Sequence, residues 1–179
     1  MKTVKALSRH WLATLLLTCA AALGGTPDAD ANTAEELRMV GEARLKVLFW
    51  SVYDSRLYTV DGSYSEGQLP LRLEIEYLID IPAARLVERT LTEWQAMEKS
   101  HPRQGIWLAE LELLWPDISA GDVLTLDIAA DGSSVFYRNG VLLGSVSDPD
   151  FGSHFADIWL SAESSRPELR LALIGSADD

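Results

Sequence analysis

The chain has 179 residues, with 27 acidic against 15 basic side chains and a formal net charge of −12. That balance argues against nucleic acid or an anionic membrane surface as a partner, since both repel an acidic protein. The single cysteine, Cys19, excludes an internal disulfide framework.

The N terminus reads as a secretory leader. Lys2, Lys5 and Arg9 form a basic start, Leu12 to Leu23 is an apolar run, and Ala29-Asp30-Ala31 offers a small-x-small cleavage site before Asn32. The run is too short and wrongly flanked for a membrane span. Residues 1–31 carry a net +1, so the mature chain stands at about −13 against −12 for the whole. A periplasmic or secreted domain is expected. Leu16-Leu17-Thr18-Cys19 loosely resembles a lipobox and provides a competing lipoprotein reading, weakened by the size of Thr18.

Residues 32–40 form a polar lead-in with some helical character (Ala34, Leu37, Met39). From Leu45 to Tyr53 the sequence reads as one strand. Leu45, Val47, Phe49 and Tyr53 lie on one side; Leu48, Trp50 and Val52 make the end of the other side apolar too. Such a strand needs cover on both faces. A kink is expected near Asp54-Ser55, and a turn at Asp61-Gly62. Leu71 to Ile79 alternates cleanly, with Leu71, Leu73, Ile75, Tyr77 and Ile79 inward and Arg72, Glu74 and Glu76 outward as a solvated face.

Asp80 is expected to cap a helix with Pro82 in its first turn. Leu86, Thr90, Trp94 and Met97 form that helix's buried stripe, with Arg89 and Glu93 as an i,i+4 pair on the exposed side. A second helix spans Ile106 to Leu114, and Pro116 ends it. Val123 to Ile128 is a strand. Val135 to Arg138 and Val141 to Val146 are separated by Asn139-Gly140, a strong hairpin signal because both turn residues tolerate positive φ. Asp148-Pro149 starts a helix buried through Phe151, Phe155, Ile158 and Trp159. A short last helix begins near Pro167 and ends at Gly175, before an acidic tail, residues 176–179. Strands, two helices, three strands and further helices in that order predict an α+β domain: an antiparallel sheet with helices on one side.

Two blocks carry a family resemblance. Gly41-x-Ala43-Arg44 followed by Phe49-x-x-Val52-Tyr53-x-x-x-Leu57-Tyr58 lies at one end. Phe155-x-x-Ile158-Trp159-Leu160, Pro167 and Leu173-Ile174-Gly175 lie at the other. Together they resemble the chalcone-isomerase-like family, in particular its exported bacterial members. The resemblance covers residues 41–175 and implies an open-faced β-sandwich, a large antiparallel sheet backed by helices. It also implies either ring closure of a chalcone or fatty-acid binding between sheet and helices. The Tyr, Lys and Asn of the isomerases fall at Arg85, Glu88 and Thr92 here, which argues against isomerase activity.

The resemblance implies Arg44 as the arginine that faces the cleft. Its guanidinium suits a ligand carboxylate, against the alternative of an exposed strand-end arginine. Tyr53 and Tyr58 are candidates to supply hydroxyls to the same cleft, against the alternative of packed strand aromatics. His154, with Asp150 and Asp157 at helical spacing, reads as a surface histidine rather than a metal ligand, and His101 as an exposed loop residue. Trp50, Trp94, Trp107, Trp115 and Trp159 mostly fall on core stripes. No phosphate loop, nucleophile elbow or HExxH motif is present, so no cofactor or metal is expected. The expected function is non-catalytic binding of a small amphipathic carboxylate. The alternatives are an isomerase or lyase with an altered site, or a protein-interaction domain with a closed cleft.

Overall fold

The computed structural model describes residues 36–176. The leader, Cys19, the start of the lead-in and the last three residues of the acidic tail lie outside that range. Six strands and four helices follow in the order β1 (Arg38–Val47), β2 (Trp50–Thr59), β3 (Leu71–Tyr77), α1 (Ala83–Ala96), α2 (Gln104–Leu114), β4 (Val123–Ile128), β5 (Ser134–Arg138), β6 (Val141–Val146), α3 (Pro149–Leu160) and α4 (Pro167–Leu173). The strands form one antiparallel sheet in sequence order, β1-β2-β3-β4-β5-β6. The expected α+β architecture is therefore the one observed.

The alternation in β3 explains the layering. Leu71, Leu73, Ile75 and Tyr77 are buried, while Arg72, Glu74 and Glu76 are partly exposed on the opposite face. Register carries these faces across the sheet. Leu73 is level with Leu57 and Leu126, and Leu126 with Phe136, so one face is apolar and takes the helices. The other face is open, and its charges pair across strands. Arg44 meets Asp54 through two contacts of 2.5 and 2.6 Å, Arg56 meets Glu76 at 3.0 Å, and Arg72 meets Asp127 at 2.6 and 2.8 Å. Glu74 accepts from the Tyr58 hydroxyl at 3.1 Å. The expectation that Glu74 and Glu76 belong to a solvated strand face matches this placement.

The single strand expected from Leu45 to Tyr53 is instead a hairpin. Val47 pairs with Trp50 across a two-residue turn at Leu48-Phe49. Leu48 sits at φ 56°, a conformation that costs a side-chain-bearing residue about 1–2 kcal/mol. The apolar residues assigned to a second covered face are the exposed hairpin tip: Leu48 is 87%, Phe49 98% and Trp50 73% exposed. Trp50 is thus the exception among the tryptophans assigned to the core. No kink occurs at Asp54-Ser55, where both residues pair in register with β1 and β3; the irregularities lie at Met39/Gly41 and Leu45/Lys46. Residues 38–40 of the lead-in are strand, not helix.

Helix α1 starts without the expected cap. Asp80 accepts from the Ala120 amide at 2.8 Å, and the Ala83 amide donates to Asp117 from beyond α2, at 2.9 Å. Ile79, expected inward, lies past the end of β3 and is 37% exposed. Helix α2 begins two residues earlier than expected. The Asn139-Gly140 turn forms as expected, with φ 51° and 76°. Asp148 caps α3 as expected, accepting from the Asp150 amide at 3.2 Å, and also accepts from the Trp107 indole at 2.6 Å.

Asp122 holds the start of the β-meander. Its carboxylate accepts from Arg138 at 2.6 Å, from the Ser119 amide at 2.7 Å and from Asn139 at 2.7 Å. The hydrogen bond from Arg138, followed by those from Ser119 and Asn139, lowers its pKa to about 2. An unfolded aspartate titrates at about 3.9. The network therefore stabilises the fold above about pH 4, and that contribution fades as pH falls toward 2. In an acid titration followed by circular dichroism, Asp122→Asn is expected to be less stable at neutral pH and to show a shallower loss of stability between about pH 4 and 2. Parallel acid profiles for the two proteins would remove Asp122 as a source of the acid sensitivity.

Candidate functional site

Between the helices and the apolar face of the sheet lies a cavity of about 350 Å³, within the size range of small-molecule sites. Strands β2 to β5 supply Tyr53, Leu73, Ile75, Tyr77, Leu124, Leu126 and Phe136. Helix α3 supplies Phe155, Ile158 and Trp159, and Trp115 follows α2. Val47 and Val52 bring the lining to the base of the exposed hairpin tip. Most of this surface is apolar, which suits a hydrocarbon.

The polar groups gather on one side. Arg85, Arg89 and Glu93 recur every four residues on α1 and share one edge of that helix. Arg89 and Glu93 pair as expected, with Arg89 exposed as expected but Glu93 turned inward. Glu93 is buried, 6% exposed, and accepts from the Ser165 hydroxyl at 2.6 Å. Arg85 pairs with Glu88. The third lining arginine, Arg166, stands between α3 and α4, in a segment held by the Ser164 hydroxyl on the Ile158 carbonyl at 2.8 Å. Among the described residues, Arg166 has no carboxylate partner.

Tyr53 faces this group. Its hydroxyl oxygen accepts from the Trp159 indole at 3.0 Å, which leaves its own proton available to a ligand. Burial pushes the Tyr53 hydroxyl up to about 12, so it is a neutral donor at physiological pH. The Tyr77 ring meets Tyr53 edge-on with centroids 6.0 Å apart, and burial raises its hydroxyl pKa as well. The Trp115 indole N–H is buried without a hydrogen-bond partner. A cavity with hydrocarbon walls, neutral donors and an arginine without an acid partner is chemically suited to an amphipathic anion.

Of the three residues expected to bind ligand, only Tyr53 lines the cavity. Arg44 lies on the open face of the sheet, about half exposed, where Asp54 occupies its guanidinium. The hydrogen bond and charge of Asp54 raise the Arg44 pKa, while Arg44 holds the Asp54 carboxyl down. Tyr58 lies on that face too, bonded to Glu74. The parity of the β1–β2 register separates these side chains from Tyr53: Leu45 pairs with Tyr53, while Arg44 pairs with Asp54 one position on. Sequence reasoning missed Arg166. Its only local mark is Pro167, which drives the preceding residue out of helical conformation.

The two histidines among the described residues, His101 and His154, both differ from expectation. The His101 ring stacks on Trp107 with centroids 4.4 Å apart. His154 is half-buried, packs against Trp94 and Trp107, and has Nε2 2.8 Å from the Gln104 side-chain nitrogen. Burial lowers the His154 pKa. Lys99 engages Asp157 at 2.6 Å. No group of three or more His, Cys, Asp or Glu side chains is placed to hold a metal ion among the described residues. No helix among them is long and apolar enough to cross a membrane.

The chain matches no protein-family model. It is 28% identical over 124 residues to an uncharacterised protein of Haemophilus influenzae, an alignment covering 69% of this chain and 61% of that protein. The chain therefore spans less than two thirds of that relative's length. Among solved structures it is similar to a fatty-acid binding protein of Arabidopsis thaliana, with a TM-score of 0.55 and 14% identity over 80% of this chain and 91% of that one. At that identity the likeness shows the fold, the chalcone-isomerase-like arrangement of an open antiparallel sheet and a helix layer.

Proposed function

We propose that this protein binds a small amphipathic carboxylate of the fatty-acid class in the sheet–helix cavity, with the carboxylate on Arg166 and the Tyr53 hydroxyl and the chain among the apolar walls. The observation that carries the reading is the cavity itself: hydrocarbon walls, and on one side an arginine that has no acid of its own among the described residues. The Arabidopsis relative in fold, itself a fatty-acid binding protein, supports the same ligand class. Glu93, the cavity's carboxylate, is engaged by Arg89 and Ser165, which favours holding a ligand over moving its protons. The basic start, apolar run and small-x-small site of the leader support binding outside the cytoplasm.

Native mass spectrometry of the gently purified protein, followed by solvent extraction, tests the reading. A co-purifying carboxylate, or a one-to-one complex on adding a long-chain fatty acid in vesicle-free buffer, is the expected result. An apo mass unchanged by fatty acids, together with turnover of a chalcone, would replace it with the isomerase reading.

A further inference from the structure

The β1–β2 hairpin ends in four consecutive apolar residues, of which Val47 is 44%, Leu48 87%, Phe49 98% and Trp50 73% exposed. Their exposure is not explained by folding. The turn places Leu48 in a left-handed conformation that glycine or asparagine would occupy with less strain. A strained apolar side chain held out in water points to a role outside the fold. Between Leu45 and Tyr53 the only charged residue is Lys46, although the chain as a whole carries −12. The next acid, Asp54, is neutralised by Arg44. Among the described residues the tip therefore presents the longest run of consecutive exposed apolar side chains, with no unpaired carboxylate between Leu45 and Tyr53.

We propose that this hairpin tip inserts into the surface of a lipid bilayer of neutral headgroups, placing the cavity mouth against the membrane. Tryptophan beside phenylalanine and leucine suits the boundary between headgroups and acyl chains. Lys46 can extend its ammonium back to the headgroup layer from the same strand end. A convex two-residue turn is a poor protein interface: it falls short of the ~800 Å² per partner of a stable complex. A bilayer requires no complementary shape. The tip is also continuous with the cavity, because Val47 belongs to both, and Arg85 and Arg89, both lining residues with exposed side chains, stand at the rim. A ligand with an acyl chain would pass between bilayer and cavity along this apolar edge. The membrane contact does not depend on the carboxylate site, and separate measurements read the two.

The test is flotation of the full chain, as the cell processes it, with phosphatidylcholine vesicles and no added fatty acid. The protein is expected to float with the vesicles. Acyl chains carrying bromine should quench Trp50, the exposed tryptophan among the described residues, and Trp50→Phe should remove that quenching while preserving flotation. Phe49→Ser should weaken partition about tenfold or more, by the loss of one buried aromatic side chain. Leu48→Gly should weaken it too while relieving the turn. Both variants should keep the wild-type circular dichroism spectrum and a cooperative urea transition, which shows that they are folded without reference to the fatty-acid site. Three outcomes would overturn the proposal: wild type that stays with the buffer, flotation that neither substitution changes, or a concentration-dependent dimer that Phe49→Ser abolishes. The second would assign the membrane contact to another segment, and the third would make a second copy the partner of the tip.

Discussion

Arg166→Ala is expected to weaken fatty-acid binding by roughly 10- to 100-fold, while Arg44→Ala leaves it within about a factor of two. The first figure follows from a hydrogen bond to a charged group, about 1.5–3 kcal/mol. Arg166 lines the cavity and has no acid partner among the described residues. Its guanidinium can give a carboxylate two parallel contacts without first breaking an ion pair. Arg44 would have to leave Asp54, and it faces away from the cavity. Arg166→Lys should recover part of the affinity, since it keeps the charge and loses the fork. Tyr53→Phe should cost less than Arg166→Ala, because it removes one neutral donor. Isothermal titration with one fatty acid across these variants measures all four. Strong loss in Arg89→Ala with none in Arg166→Ala would move the head group to the α1 edge of the cavity.

Gly41→Ala is expected to destabilise the domain by about 3 kcal/mol, the upper end of overpacking effects. A Cβ at this position would lie 2.3 Å from the Ala172 carbonyl oxygen and 2.8 Å from that of Leu173. Both atoms are backbone of α4, so no side-chain rotation can relieve the contact. β1 and α4 would have to separate, loosening Leu173, which is fully buried. The loss can be read from the urea midpoint. Ala43→Gly, two positions along on the same strand face, provides a comparison in which space is created rather than removed. A midpoint unchanged by Gly41→Ala would mean that α4 shifts at little cost.

Gly41 also shows what a sequence block can convey. As the start of Gly41-x-Ala43-Arg44 it helped identify the fold, but its role is a contact with residues more than a hundred positions away. Arg44, from the same block, was the expected ligand group and lies on the other face. Matching a motif located both residues and could not orient them. The hairpin tip was misread for a related reason. Lys46 to Val52 contains no glycine, asparagine or proline to signal a turn, so period-two alternation ran through Leu48-Phe49 as if the strand were unbroken.

The sequence by itself determined the elements whose signals are local. The alternation of Leu71 to Tyr77, the Asn139-Gly140 hairpin, the Asp148-Pro149 helix start and the stripe from Leu86 to Met97 all formed as read. Each is set by backbone geometry within a few residues. Only the tertiary structure decided what depends on distant neighbours. Asp117 holds the first amide of α1 in place of Asp80. The segment after α3 buries Glu93 by meeting it with Ser165 and brings Arg166 to the cavity. Periodicity divides a strand or helix into two faces. Which face meets the helix layer, and which charges are drawn into it, is set by the packing of elements far apart in the chain.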